Sequence, residues 1–189
     1  MDIHKLVLEG LFGRARKNVS TKELMDKKQL AKLDIKCVLF GYTPTECQLV
    51  SDMDYQTELD WIVTNEKRNK FITNLACQQT ENTLLLFQYV EKHGRILYDM
   101  IKEKSNEKRR IYFVYGGTDS ESREKVRAIC EIHSGCIIVA SVGVFSTGIN
   151  IRNLHNIIFG SPSKSRIRNL QSIGRSLRVT EKKSVAKIF

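Results

Sequence analysis

The residues with the most evident chemistry lie together at Gln171-Ser172-Ile173-Gly174-Arg175-Ser176-Leu177-Arg178. On a helix that turns by about 100° per residue, Gln171, Arg175 and Arg178 share one narrow face. Leu170, Ile173 and Leu177 form the opposite stripe, which is expected to face a core. Two guanidiniums one turn apart suit a triphosphate, because each stays charged and can fork onto phosphate oxygens. By charge spacing alone, the same residues also describe a solvated basic helix face. Gly174 beside the polar face costs about 1 kcal/mol relative to alanine. That cost is understandable if something must approach the backbone there.

A second segment runs Val139-Ala140-Ser141-Val142-Gly143-Val144-Phe145-Ser146-Thr147-Gly148-Ile149-Asn150-Ile151. An apolar strand is expected to enter a loop with hydroxyls and two glycines, where an α/β sheet presents its ligand site. Backbone N–H groups in such a loop can cradle phosphate, and Ser141 adds a hydroxyl. The plainer reading is a strand-to-helix turn whose glycines only relieve strain.

The elements that must position these groups follow from hydrophobic patterning. Ser20 and Glu23 fit a capping box at the start of a short helix. Ile35–Tyr42 (IKCVLFGY) reads as a buried strand stopped at Thr43-Pro44, and residues 54–77 as two helical pieces. Strands are then expected at 83–90, 110–115, 136–141, 155–160 and 184–189. Helices are expected at 91–103 through Ile96, Leu97, Met100 and Ile101, at 119–133 through Val126, Ile129 and Ile132, and at 163–178. Strands apolar on both faces that alternate with helices imply a parallel sheet covered on both sides. The sequence stops inside its last strand, as a fragment of something longer would.

Composition bounds the partners. A chain of 189 residues is long enough for one substantial α/β domain with an extension. Lys and Arg total 31 against 21 acids, a net charge of +10 that suits either a polyanionic partner or a merely basic surface. No apolar run approaches the roughly 18–20 residues a membrane span requires, so no membrane is expected and the cytoplasm is the default. The five cysteines have no metal-ligand spacing, and Cys37, Cys130 and Cys136 sit in apolar stretches; they read as reduced core thiols, with no disulfide and no metal. The histidines also lack metal spacing. Trp61 reads as a packing residue, and Lys102–Arg110 as a solvated turn.

Q-x-x-G-R-x-x-R at 171–178 resembles motif VI of the superfamily-2 helicases. V-A-S-x-G-V-F-S-T-G-I-N-I at 139–151 resembles their motif V, and L-L-L-F at 84–87 their motif IV, in the same order. More loosely, Gly10-Leu11-Phe12-Gly13 and STKELMDKKQLAKLDI resemble the passage that links the two lobes of these motors. The resemblance implies a RecA-like second lobe at 35–189, of P-loop NTPase type but without the P-loop, preceded by an inter-lobe linker at 1–34. It implies that Arg178 acts as an arginine finger, that Arg175 assists it at the phosphates, and that Gln171 helps position the ATP site. Gly148 and Asn150 would lie against the nucleotide, although the family more often has aspartate at the latter position. Ser141, Val142 and Gly116 would touch the nucleic-acid backbone, with His93 a weaker candidate, and Arg123 reads as structural.

The sequence contains no G-x-x-x-x-G-K-[ST] and no D-E-x-x box. Those parts supply the P-loop lysine and the Mg²⁺ ligands, so ATP and Mg²⁺ are expected to be held mainly by a first RecA-like lobe, in cis or in trans. The chain alone is expected to hydrolyse no significant ATP. The expected partner is DNA, branched or single-stranded, or RNA. The same lobe occurs in translocases that separate no strands. A stand-alone, non-catalytic nucleic-acid-binding module is the rival from another class.

Overall fold

The segments that read as apolar on both faces form the centre of a parallel sheet. The computed structural model describes residues 3–14, 16, 19–105, 109–147, 151–180 and 183–189. In chain order these hold α1 (Ile3–Phe12), α2 (Thr21–Asp26), β1 (Lys32–Ile35), α3 (Pro44–Ser51), α4 (Tyr55–Thr64), α5 (Glu66–Gln78) and β2 (Thr83–Phe87). A π-helical turn (Val90–Arg95) leads into α6 (Ile96–Ser105), followed by β3 (Ile111–Val114), α7 (Ser120–Ile132), β4 (Ile137–Ser141) and α8 (Val142–Thr147). β5 (Asn156–Phe159), α9 (Arg166–Ser176) and β6 (Val185–Ile188) complete them.

The sheet order is β1-β6-β5-β2-β4-β3, and every neighbouring pair is parallel. Ile72 and Ala76 of α5 with Leu97 and Ile101 of α6 pack on Leu85, Phe87, Ile137, Val139 and Ile158. On the other face, Cys130 of α7, Val144 and Phe145 of α8 and Ile173 of α9 pack on Leu84, Leu86, Ile138, Ala140 and Ile157. The sheet is therefore covered on both sides, and its central strand β2 buries every side chain.

Caps set the helix starts. Ser20 and Glu23 form the expected capping box, and Thr43 with Glu46 forms a second one ahead of α3. Asp54, Asn65 and Asp119 each accept from the first turn of the helix that follows.

Several expectations give way. The strand at the sheet edge is Lys32–Ile35, not Ile35–Tyr42. Lys36 N–H still donates to the Ile188 carbonyl. Beyond that the chain is irregular, and Cys37 is exposed rather than a core thiol. The apolar signal at 35–42 belongs instead to an aromatic cluster, in which Phe40 meets Tyr42 and Phe71 while Tyr42 meets Trp61. β1 also takes the sheet back into the segment expected to link the lobes. Ile96 and Ile132 are exposed, leaving Leu97 and Ile101 to anchor α6 and Cys130 to anchor α7. Arg109 is no solvated residue: its guanidinium donates to the carbonyls of Gly135 and Cys77.

At the amino-terminal edge of the sheet one amide ties four segments together. Asn82, fully buried, directs Nδ2 at the carbonyls of Cys130, His133 and Asn153 (2.8–2.9 Å), and its Oδ1 accepts from Cys136 N–H. Its own carbonyl accepts from His155 and Asn156. Asn82→Ala takes the Asn82 donor from the carbonyls of Asn153 and His133 and the acceptor from Cys136 N–H, while the Cys130 carbonyl keeps Asn153 Nδ2, a loss of about 4 kcal/mol. At roughly 2–4 °C per kcal/mol, a thermal melt is expected to fall by about 8–16 °C. Asn82→Asp, which keeps the acceptor but donates nothing, is expected to melt as low.

Candidate functional site: two edges of one sheet

Parallel strands put all their carboxyl ends on one edge, and register aligns those ends here. Phe87 pairs with Ser141, Val114 with Ala140, and Leu86 with Phe159. The residues that follow therefore stand in a row: Gly116 beyond β3, Ser141 and Val142 at the end of β4, and Gln88 beyond β2. Ser141 and Val142 are half-buried and Gly116 is exposed. The Gly116 carbonyl is held by the Arg123 guanidinium at 3.0 Å, which makes Arg123 a support for that turn.

The expected loop after β4 is a helix. α8 begins at Val142 directly after the strand, and it buries Val144 and Phe145. These two apolar residues, three and four positions after Ser141, suffice to draw a helical turn onto the sheet. Gly148 and Asn150, expected at the nucleotide, lie outside the described residues.

His93 is a correction. It is 0% exposed and cannot meet nucleic acid from this position. Its Nδ1 lies 3.0 Å from the Ser161 hydroxyl and its Nε2 lies 3.2 Å from Asn69 Oδ1. Asn69 Nδ2 is engaged with the Val63 carbonyl, so Oδ1 accepts and Nε2 carries the imidazole proton. Ser161 Oγ in turn accepts from Gln88 N–H, leaving its hydroxyl proton for Nδ1. The histidine thus joins α5, the end of β2 and the end of β5. It is drawn inward by the π turn, which brings Gly94 so close to Phe87 that a Cβ would stand 2.6 Å from the ring. Sequence periodicity carries no signal for that turn.

Motif VI lies on α9, whose boundaries differ from the expected 163–178. Gln171 and Gly174 are exposed, Arg175 is half-buried with its guanidinium 5.7 Å from the Phe145 ring centroid, and Ser172 and Ser176 are buried. Leu170 is 55% exposed rather than core, so Ile173 and Leu177 hold the buried side with the two serines. A Cβ added at Gly174 would meet nothing within 4 Å, so packing in the described chain does not demand a glycine there.

α9 ends at Ser176, which leaves Arg178 beyond the helix, exposed. Because α9 returns the chain from the carboxyl end of β5 to the amino end of β6, Arg178 sits at the opposite edge from Ser141. The Leu177 carbonyl fixes that place, since it accepts from Ala31 N–H just before β1. Lys183, buried here, donates its ammonium to the Ser176 carbonyl. Burial lowers its pKa to about 8, partly opposed by Glu131.

Among the described residues there is no group of three His, Cys, Asp or Glu side chains that could hold a metal. The five cysteines are free, with Cys37 and Cys47 exposed and only Cys130 and Cys136 buried. Among the described residues no helix is long and apolar enough to cross a membrane.

A two-sided parallel sheet with these motifs at its edges defines the second, RecA-like lobe of a superfamily-2 helicase. The chain belongs to the helicase conserved C-terminal domain family, which matches residues 66–180. It is 38% identical over 183 residues to the ATP-dependent DNA helicase UvsW of Enterobacteria phage T4, covering 95% of this chain and 36% of that protein. The crystal structure of T4 UvsW superposes with a TM-score of 0.68 at 36% identity, over 84% of this chain and 32% of that one. A DNA-bound ATP-dependent Type ISP restriction-modification enzyme, LlaBIII, shares the fold with a TM-score of 0.60 at 19% identity, over 96% of this chain and 13% of its own. The chain thus spans about a third of the length of the UvsW relative.

Two outcomes follow. Burial among neutral partners, with Arg68 nearby, lowers the His93 pKa to about 4. Between the ordinary value near 6.5 and about 4 only the unfolded chain takes the proton, so stability falls as pH drops through that window. The loss is about 3 kcal/mol; denaturant melts of the protein and of His93→Gln are expected to diverge most above pH 6.5 and converge near pH 4. Gly174→Ala is expected to raise stability by about 1 kcal/mol, read as a melt about 2–4 °C higher.

Proposed function

We propose that the chain is the second motor lobe of an ATP-dependent superfamily-2 helicase that remodels branched or single-stranded DNA, or RNA, in recombination and replication. The observation that carries this reading is the outer side of α9. Gln171, the open backbone at Gly174 and Arg175 are followed by an exposed Arg178, which is bonded to no acid among the described residues. A guanidinium kept available in this way suits an anion brought from outside the chain. The DNA activity in the name of the T4 relative favours DNA over RNA.

The residues fit the phosphate end of ATP. The described residues do not offer a Mg²⁺ site, and the ion falls to a first lobe joined in cis or in trans. Bound ATP supplies a γ-phosphate whose charge spreads during transfer. Arg178 meets that charge, Arg175 braces the approach from its seat on Phe145, and Gln171 orients the site. Gly148 and Asn150 complete the nucleotide side by resemblance. The Arg178 guanidinium gains a phosphate only when the lobes close, so nucleotide binding favours closure and hydrolysis releases it.

The carboxyl edge does the other half of the work. Ser141, Val142 and the Gly116 turn hold nucleic-acid backbone, with weak sequence preference and strong salt dependence. The residues before β1 lead in from the first lobe. α8 starts at the nucleic-acid contact and carries Phe145, whose ring lies beside Arg175, so a shift of Val142 can be passed to the arginine through Phe145.

The chain alone is expected to show no ATP turnover above background. Mixed with a first RecA-like lobe carrying a P-loop and an acidic box, it is expected to restore nucleic-acid-stimulated hydrolysis. Arg178→Ala is expected to remove that gain by on the order of 10³-fold or more. Brisk hydrolysis by the chain alone, indifferent to Arg178→Ala, would overturn the assignment.

A further inference from the structure

Lys183 is 2% exposed, and a buried ammonium must find acceptors or lose its proton. Its Nζ donates to the carbonyl of Ser176, the last residue of α9. That carbonyl is one of four that a helix end leaves without an internal partner, and a cation there also meets the negative end of the helix dipole. The next carbonyl along, on Leu177, accepts from Ala31 N–H, while Leu177 N–H turns back to the Gly174 carbonyl. Lys183 N–H closes onto the Thr180 carbonyl, and these two residues form an antiparallel bridge. Both carbonyls immediately ahead of Arg178 are therefore tied, one by a side chain from the loop before β6 and one by the residue that opens β1.

We propose that Lys183 is a positioning residue for Arg178, its buried ammonium capping the carbonyl end of α9 and fixing the point from which the arginine side chain leaves. The inference rests on the reading of Arg178 as a guanidinium directed at a nucleotide phosphate. An unbranched apolar side chain such as methionine would fill the same space without desolvating a charge, so the cation is there for the bond it makes. A finger carried on a frayed helix end would visit the phosphate only part of the time. The loss would then fall on turnover rather than on nucleotide binding.

The test uses Lys183→Met and Lys183→Arg beside Arg178→Ala, in the chain alone and joined by a first RecA-like lobe with a P-loop. In the chain alone, Lys183→Met is expected to speed amide exchange at Leu177–Thr180 by about tenfold or more while the strands keep their protection. With the first lobe, kcat is expected to fall about 10–100-fold and KM for ATP to move less than about threefold. Lys183→Arg, still able to donate to the Ser176 carbonyl, is expected to restore most of both. Unchanged exchange at 177–180 overturns the proposal, as does an unchanged kcat where Arg178→Ala lowers it. If Arg178→Ala itself leaves hydrolysis unchanged, the finger reading is what fails, and exchange alone decides whether Lys183 holds the helix end. Should Lys183→Met fail to fold, Lys183→Gln, a neutral donor on a shorter stem, carries the same comparison.

Discussion

Every strand of this sheet runs the same way, and that single constraint decides where chemistry can be placed. A chain that leaves β5 at the carboxyl edge must climb back to the amino edge before β6 can begin. α9 is that return path, and it separates the two groups of candidate residues by about the length of a strand, roughly 13 Å for four residues. Ser141, Val142 and Gly116 stay at one edge, where strand ends align in register. Arg178 arrives at the other, next to the start of β1. One helix thus spans the sheet face between them, with Arg175 partway along over Phe145.

The amino edge needs polar work because strands and helices start and stop there with their backbone groups open. Asn82 and Arg109 do most of it. One amide gathers the end of α7 and the approaches to β4 and β5, and one guanidinium spans the end of α5 and the turn before β4. Both act on backbone carbonyls, as buried polar side chains usually do. The carboxyl edge is instead supported by His93, whose two ring nitrogens join Asn69 and Ser161 beneath the row of candidate contacts. A neutral imidazole suits that place, since a charged one would be stripped of water and set near the Arg68 guanidinium.

The central strands were legible because burial on both faces leaves uninterrupted apolar runs, as in Thr83–Phe87 and Ile137–Ser141. Helix starts were legible at Ser20 and Asp119, whereas the Thr43–Glu46 capping box ahead of α3 was read only as the stop of a strand. Motif order identified the lobe before any geometry was known. The misplaced elements share a cause, which is that tertiary partners settled what local pattern could not. Val38 to Tyr42 look like a strand, yet the aromatic rings of Phe40 and Tyr42 turn to α5 and α4 instead. β1 itself is half-exposed at the sheet edge, so Lys32-Leu33-Asp34-Ile35 lacks an apolar run. His93 was misjudged because a π turn changes which residues face inward, and one-residue insertions in a helix leave no periodic trace.

For Arg178 the geometric reason offered by helical periodicity is incomplete. Placing it with Gln171 and Arg175 by helical periodicity requires the helix to continue to residue 178, and it ends at Ser176. It ends there because its last carbonyls are taken from outside, by the Lys183 ammonium and by Ala31 N–H. Both bonds are made by residues remote in sequence, one ahead of β1 and one ahead of β6, so no window around motif VI contains them. The point at which Arg178 leaves the helix end is therefore held by contacts from beside β1 and β6 rather than by the pitch of α9 alone. A helix wheel can tell which residues of motif VI are available to a ligand. Only the closing of β1 against β6 tells where the second arginine stands.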